Sequence, residues 1–149
     1  VKPPPFAYHD PATLDEAIAL LAELPNARPL AGGQSMMPML NMRFAQPDHL
    51  VDLNGIAGLD TVAVEPDGTL VIGAMARQRD LERHAEVARR CPLMTEALAQ
   101  VGHRQTRNRG TIGGSLCHLD PAAELPLVAA ASEAACIAAG PGGRRTLPF

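Results

Sequence analysis

Arg28-Pro29-Leu30-Ala31-Gly32-Gly33-Gln34-Ser35 reads as a short apolar strand that runs into a paired glycine with a hydroxyl residue beside it. The arrangement returns far down the chain as Thr111-Ile112-Gly113-Gly114-Ser115. Glycine lets a backbone approach a ligand closely and adopt positive φ. Successive amides in such a turn make an anion-binding nest. Ser35, Thr111 and Ser115 would add hydroxyl donors. Either pair alone is compatible with an ordinary turn or bulge. Two in matched context, one in each half of the chain, suit a diphosphate held between two lobes.

Neither stretch is a standard nucleotide loop. There is no G-x-x-x-x-G-K-[ST] and no G-x-G-x-x-G. Gly33-Gln34-Ser35-Met36-Met37 and Gly113-Gly114-Ser115-Leu116-Cys117 both lack the closing glycine of a hydrolase elbow, which argues against a nucleophilic serine. No catalytic residue is assigned.

The surrounding pattern is α+β. Phe6 to His9 reads as a strand, and Thr13-Leu14-Asp15-Glu16 as a capping box opening a helix that Pro25 stops. Gln34 to Phe44 is a Met-rich loop or short helix, and Leu50 to Leu53 another strand. Residues 1–55 thus form a small β-α-β lobe, and 56–149 a second α+β lobe. In the second lobe, alternation on both sides of Pro66-Asp67-Gly68 predicts a hairpin. Gln78 to Arg90 and Pro92 to Val101 read as helices, and Thr106 to Cys117 as a glycine-punctuated extended run. Asp120 is a plausible N-cap for a helix over Pro121 to Ser132. Glu133 to Leu147 make a last hairpin about Gly140-Pro141-Gly142-Gly143. The final strand ends at Phe149 without a closing element, as in a chain cut inside a larger fold.

Composition narrows the function. The chain has 149 residues, 46% hydrophobic and 19% charged, which excludes wholesale disorder. Its net charge of −3 argues against a nucleic-acid grip. One Tyr, three Phe and no Trp make a base-stacking surface improbable. Cys91, Cys117 and Cys136 are odd in number and widely spaced, which argues against a disulfide framework, a zinc site or an iron–sulfur cluster built by this chain. No metal ligands are assigned, and a reducing cytoplasm is the expected compartment. No apolar run approaches the roughly 18–20 residues of a transmembrane segment.

The wording of the motifs is more specific than their chemistry. Lys2-Pro3-Pro4-Pro5-Phe6, Ala31 to Pro38, Val51-Asp52-Leu53, Gly73-Ala74, Arg107 to Ser115 and Asp120-Pro121-Ala122-Ala123-Glu124-Leu125-Pro126 are spread over nearly the whole chain. With them the chain resembles the FAD-binding (medium) subunit of molybdenum hydroxylases, the family of carbon monoxide dehydrogenase and xanthine dehydrogenase. The carbon monoxide dehydrogenase-like branch is the most similar.

That resemblance implies a two-lobed FAD-binding fold of the vanillyl-alcohol-oxidase (PCMH) type. It implies that the FAD diphosphate lies against Ala31, Gly32, Gly33, Gln34 and Ser35 on one side and Thr111, Ile112, Gly113, Gly114 and Ser115 on the other. Asp120 or Glu124, the latter slightly favoured, would reach flavin or ribityl groups, with the helix cap open as the other role of Asp120. The chemistry would then be the flavin's. Electrons would come from 2Fe–2S clusters of an iron–sulfur small subunit, after substrate oxidation on a molybdenum large subunit that carries molybdopterin, and would leave to an external acceptor. The family continues past the position of Phe149 with a further strand and a C-terminal domain, both expected to be absent here. An assembly fragment of such a complex, or an unrelated phosphate-binding domain, are the other expectations.

Three further features have two readings each. Arg104, Arg107 and Arg109 with His103 are a diphosphate or partner contact, or a solvated loop. Met36, Met37, Met39 and Met42 are an adaptable wall near the flavin, or core filler. His118 and Asp120 form a lone pair of a kind that is seldom a metal site.

Overall fold

A computed structural model describes residues 1–149. Its first part is a three-stranded parallel sheet in the order β1-β3-β2, built from β1 (Ala7–His9), β2 (Ala27–Leu30) and β3 (His49–Asp52). Helix α1 (Leu14–Glu23) links β1 to β2, and α2 (Met36–Asn41) links β2 to β3. The Met-rich segment is therefore a short helix with Leu40 as its buried residue. Central β3 carries Leu50 and Val51, both buried. Pro29 lies in the edge strand β2, where a missing N–H is tolerated. The expected capping box is present: Thr13 Oγ1 accepts from the Glu16 amide at 3.2 Å, and the Glu16 carboxylate accepts from the Thr13 amide at 3.2 Å. Ala17 of α1 packs with Val51 and Ile56 in a small core.

The remaining chain has its own, larger core of Ala76, Leu81, Val87, Met94, Leu98, Ile112, Leu125 and Val128. The hairpin β4 (Val62–Val64) and β5 (Leu70–Ile72) lies against it, with Gly68 at φ +92° in the turn. Burying each of the Leu side chains contributes about 1.5–3 kcal/mol. The helical region departs from expectation in three places.

First, Gln78 to Arg90 is split into α3 (Gln78–Glu82) and α4 (Ala85–Arg90). In an unbroken helix Leu81 and Val87 would point about 120° apart. The break at Arg83-His84 lets both bury in one core. Helix α5 (Pro92–Gln100) follows, with Pro92 in its first turn.

Second, Thr106 to Cys117 is not extended. It forms α6 (Arg104–Arg109) and α7 (Ile112–His118), separated by Gly110 and Thr111. The second glycine pair is the first turn of α7. Thr111 caps it with extended backbone angles, its hydroxyl accepting from the Gly114 amide. A helix N-terminus tolerates poor helix formers when a cap is present, and the glycines obscured this in the sequence.

Third, Asp120 caps no helix. Its carboxylate accepts from the Ala122 amide at 2.9 Å in a turn, and α8 (Glu124–Ala131) begins later with Ala123 as N-cap. The closing hairpin of β6 (Ala135–Gly140) and β7 (Gly143–Pro148) forms as expected. No helix is long and apolar enough to cross a membrane.

Candidate functional site

The first glycine loop leaves the C-terminal end of β2, beside the C-terminal end of β3. Ligands of open parallel sheets settle at such strand ends. Gly33 has φ +73°, a left-handed conformation that favours glycine. The backbone amides of residues 31–36 have no hydrogen-bond acceptor within the chain. Gly32 among them is buried. Buried N–H groups are nearly always paired, which sets the Gly32 amide apart; the other amides of the run belong to partly or fully exposed residues and are not committed to any acceptor in the chain. Ser35 makes no cap hydrogen bond with its side chain, so its hydroxyl is free as well.

The second glycine pair is different. The Ile112 amide donates to Ala76 O at 3.1 Å, Gly113 to Ala74 O at 2.8 Å and Ser115 to Thr111 O at 3.2 Å. The Gly114 amide donates to Thr111 Oγ1 at 3.1 Å. Only the Thr111 amide has no acceptor in the chain. The two glycine pairs therefore do not offer equivalent sets of free amides. The second pair allows close packing: a Cβ on Gly113 would lie 2.7 Å from the Cβ and carbonyl oxygen of Ala74. What this segment presents is the start of α7 and one free amide, not a row of bare amides.

The two glycine segments meet. A Cβ on Gly32 would lie 2.1 Å from the Arg109 carbonyl oxygen and 2.9 Å from Gly110 Cα. A Cβ on Gly114 would lie 3.5 Å from Ala31 Cβ. Residues 31–35 and 111–115 therefore line one junction. Asp120 lies in the turn after α7, and Glu124 is the first residue of α8, which packs back on α7.

Polar side chains without an assigned role tie the junction together. Asn54 Nδ2 donates to Ala31 O at 2.9 Å and to Asp52 Oδ1 at 2.5 Å. Arg77 Nη2 donates to Asn54 Oδ1 at 2.5 Å, and Arg77 Nη1 to Arg109 O. Tyr8 Oη donates to Asp52 Oδ2 at 2.5 Å. Burial raises the Asp52 pKa, but hydrogen bonds from Tyr8 and Asn54 outweigh it and hold the carboxyl below its ordinary value. Burial, then the neighbouring Arg109 cation, lower that of Arg77. The hints in the sequence were Val51-Asp52-Leu53 and Gly73-Ala74, which precede Asn54 and Arg77.

Of the basic cluster, Arg107 is structural: its Nε donates to Glu82 at 3.0 Å and its Nη1 to Val101 O at 3.0 Å. Of the methionines, Met42 is largely exposed and Met37 partly so, which is not the behaviour of plain core filler.

Residues 4–149 match the family described as FAD binding domain in molybdopterin dehydrogenase. The chain belongs to this family. It is 46% identical over 147 residues to the carbon monoxide dehydrogenase medium chain of Hydrogenophaga pseudoflava, covering 98% of this chain and 51% of that protein. It is 39% identical over 145 residues to the glyceraldehyde dehydrogenase medium chain of Sulfolobus acidocaldarius, covering 97% of this chain and 51% of that protein. Carbon monoxide dehydrogenase from Hydrogenophaga pseudoflava superimposes with a TM-score of 0.96, covering 99% of this chain and 52% of the other. Quinoline 2-oxidoreductase from Pseudomonas putida 86 gives the same TM-score at 40% identity, also covering 99% and 52%. The chain thus spans about half the length of the relatives it matches. The α+β architecture and the molybdenum hydroxylase FAD-domain family expected from the motifs are both borne out. The donor set fits the family's cofactor: free amides, free hydroxyls and a helix N-terminus suit a diphosphate.

Proposed function

We propose that this chain holds FAD in an electron-transfer subunit of a molybdenum hydroxylase. Residues 1–55 and 56–149 act as two jaws, and the FAD diphosphate lies at their junction. The unpartnered amides of residues 31–36 carry this reading. They bind phosphate oxygens directly, with the Ser35 hydroxyl beside them. The Thr111 amide, the Ser115 hydroxyl and the positive end of α7 face the same charge from the second jaw. Ile112, Gly113 and Gly114 give that jaw its shape. Asp120 and Glu124, which follow α7, contact flavin or ribityl groups of the cofactor.

Bound FAD supplies reversible uptake of electrons, and the protein supplies position and charge. The electrons come from 2Fe–2S clusters of an iron–sulfur small subunit, beside a molybdenum large subunit carrying molybdopterin, and pass to an external acceptor. The complex works in the cytoplasm. The relatives' names support this assignment, being medium or FAD-binding subunits of dehydrogenases.

The test is a titration of the purified protein with FAD, followed by flavin fluorescence. Gly33→Val places a β-branched side chain at positive φ in the middle of the free amides. Retention of flavin by the parent and its loss in Gly33→Val is the expected result. Equal affinity in both would remove the first loop from the site.

A further inference from the structure

The contacts of Asn54 and Arg77 have a consequence for the amide that the first loop presents. The Ala31 carbonyl and the Gly32 N–H belong to one planar trans peptide, so they point in opposite directions. Asn54 Nδ2 holds that carbonyl at 2.9 Å. Holding it aims the Gly32 N–H away from Asn54. Asn54 is itself fixed from two sides. Asp52 Oδ1 accepts from its backbone amide at 2.9 Å and from its side chain at 2.5 Å. Its Oδ1 accepts from Arg77 Nη2 at 2.5 Å. The other arm of Arg77 donates to Arg109 O, the atom against which Gly32 packs. Arg77 also forms an antiparallel bridge with Thr111 through its backbone. One guanidinium therefore spans the strand end of the first jaw and the chain entering α7.

We propose that Asn54 and Arg77 are positioning residues that aim the Gly32 amide and fix the spacing between the two glycine segments. Neither side chain needs to touch the cofactor. The inference rests on the FAD assignment above for its effect on affinity, and on the peptide geometry alone for its effect on the Gly32 amide. Asn54 is exposed, so its removal costs the core little. Losing the bond to Ala31 O lets the peptide rotate. A neutral hydrogen bond of this kind is worth a roughly five- to tenfold change in an equilibrium.

The experiment compares the purified protein with Asn54→Ala, Arg77→Ala and Arg77→Lys. Three quantities are measured: FAD affinity, thermal midpoint without FAD, and the amide resonance of Gly32 in a nitrogen–proton correlation spectrum without FAD. Asn54→Ala and Arg77→Ala are expected to shift the Gly32 resonance and to weaken FAD binding roughly five- to tenfold. Their midpoints should stay near that of the parent. Arg77→Lys, with one donor group in place of a fork, should restore part of the affinity. The double variant should lose less than the product of the two single losses, because both act through one bond. An unmoved Gly32 resonance in Asn54→Ala, or an affinity loss that merely follows a fallen midpoint, would overturn the proposal. A parent protein that binds no FAD would overturn the cofactor assignment, and the Gly32 resonance would still decide the positioning role.

Discussion

The two glycine pairs look alike on paper and behave oppositely in the structure. Ala31 to Ser35 leaves a strand end with its amides unspent, and Gly33 turns through positive φ to keep them so. Thr111 to Ser115 enters a helix and spends all its amides but that of Thr111 on Ala74, Ala76 and the Thr111 cap. Glycine serves ligand access in the first case and close packing in the second. The same dipeptide therefore carries no fixed function. What decides it is whether the neighbouring backbone already supplies acceptors.

The sharpest attempt to break this contrast is made where the two regions touch. Gly32→Ala drives a Cβ into the Arg109 carbonyl, which is backbone and cannot swing aside. A loss of about 3 kcal/mol in stability is expected, with loss of flavin retention, read by thermal denaturation and FAD titration. A variant that melts like the parent would mean that the segments do not meet.

The next pair of substitutions separates access from packing. Gly113→Ala meets Ala74 at 2.7 Å and should cost about 2 kcal/mol of stability. Its folded fraction should keep most of its FAD affinity. Gly33→Ala meets the flexible Met37 side chain at 3.3 Å and Leu30 Cδ1 at an ordinary 3.7 Å, so its cost is that of positive φ, about 1–2 kcal/mol. Its affinity should fall by more than its stability explains. Identical ratios of affinity loss to stability loss would erase the distinction.

Acid gives the smallest effect. Asp52 holds Asn54, and through it the first loop, with a pKa below its ordinary 3.8. A carboxyl depressed in the folded state stabilises fully above its unfolded pKa, and that stability is lost as pH falls through the folded value. The second segment is held by a hydroxyl and by carbonyls, which do not titrate. Below the ordinary carboxylate range the first loop should loosen before α7 does, and Asp52→Asn should abolish the difference. Circular dichroism for the helices and amide exchange for the loop would report the order.

Much of this was legible in the residues. The Thr13–Glu16 capping box, the turn at Pro66-Asp67-Gly68 and the closing hairpin each have local chemistry that long-range packing does not override. The region from Thr106 to Cys117 was misread because glycine marks a turn and a helix start equally well. Only contact with Ala74 and Ala76 selects the helix, and that contact is tertiary. The break at Arg83-His84 has no Gly or Pro to announce it, being set by the need to bury both Leu81 and Val87. Among the site residues, the glycine segments were visible as motifs. Asn54 and Arg77 were not, because a polar residue acting on a distant carbonyl leaves no periodicity or spacing in the sequence.

Hydrogen exchange at residues 31–36, with and without FAD, tests the central claim most directly. Without FAD, the amides of Gly33 to Met36 should exchange fast, while those of Ile112, Gly113 and Ser115 are already protected by their carbonyl partners. Adding FAD should protect the first set strongly and change the second little. Flavin that binds while residues 31–36 go on exchanging freely would contradict the account.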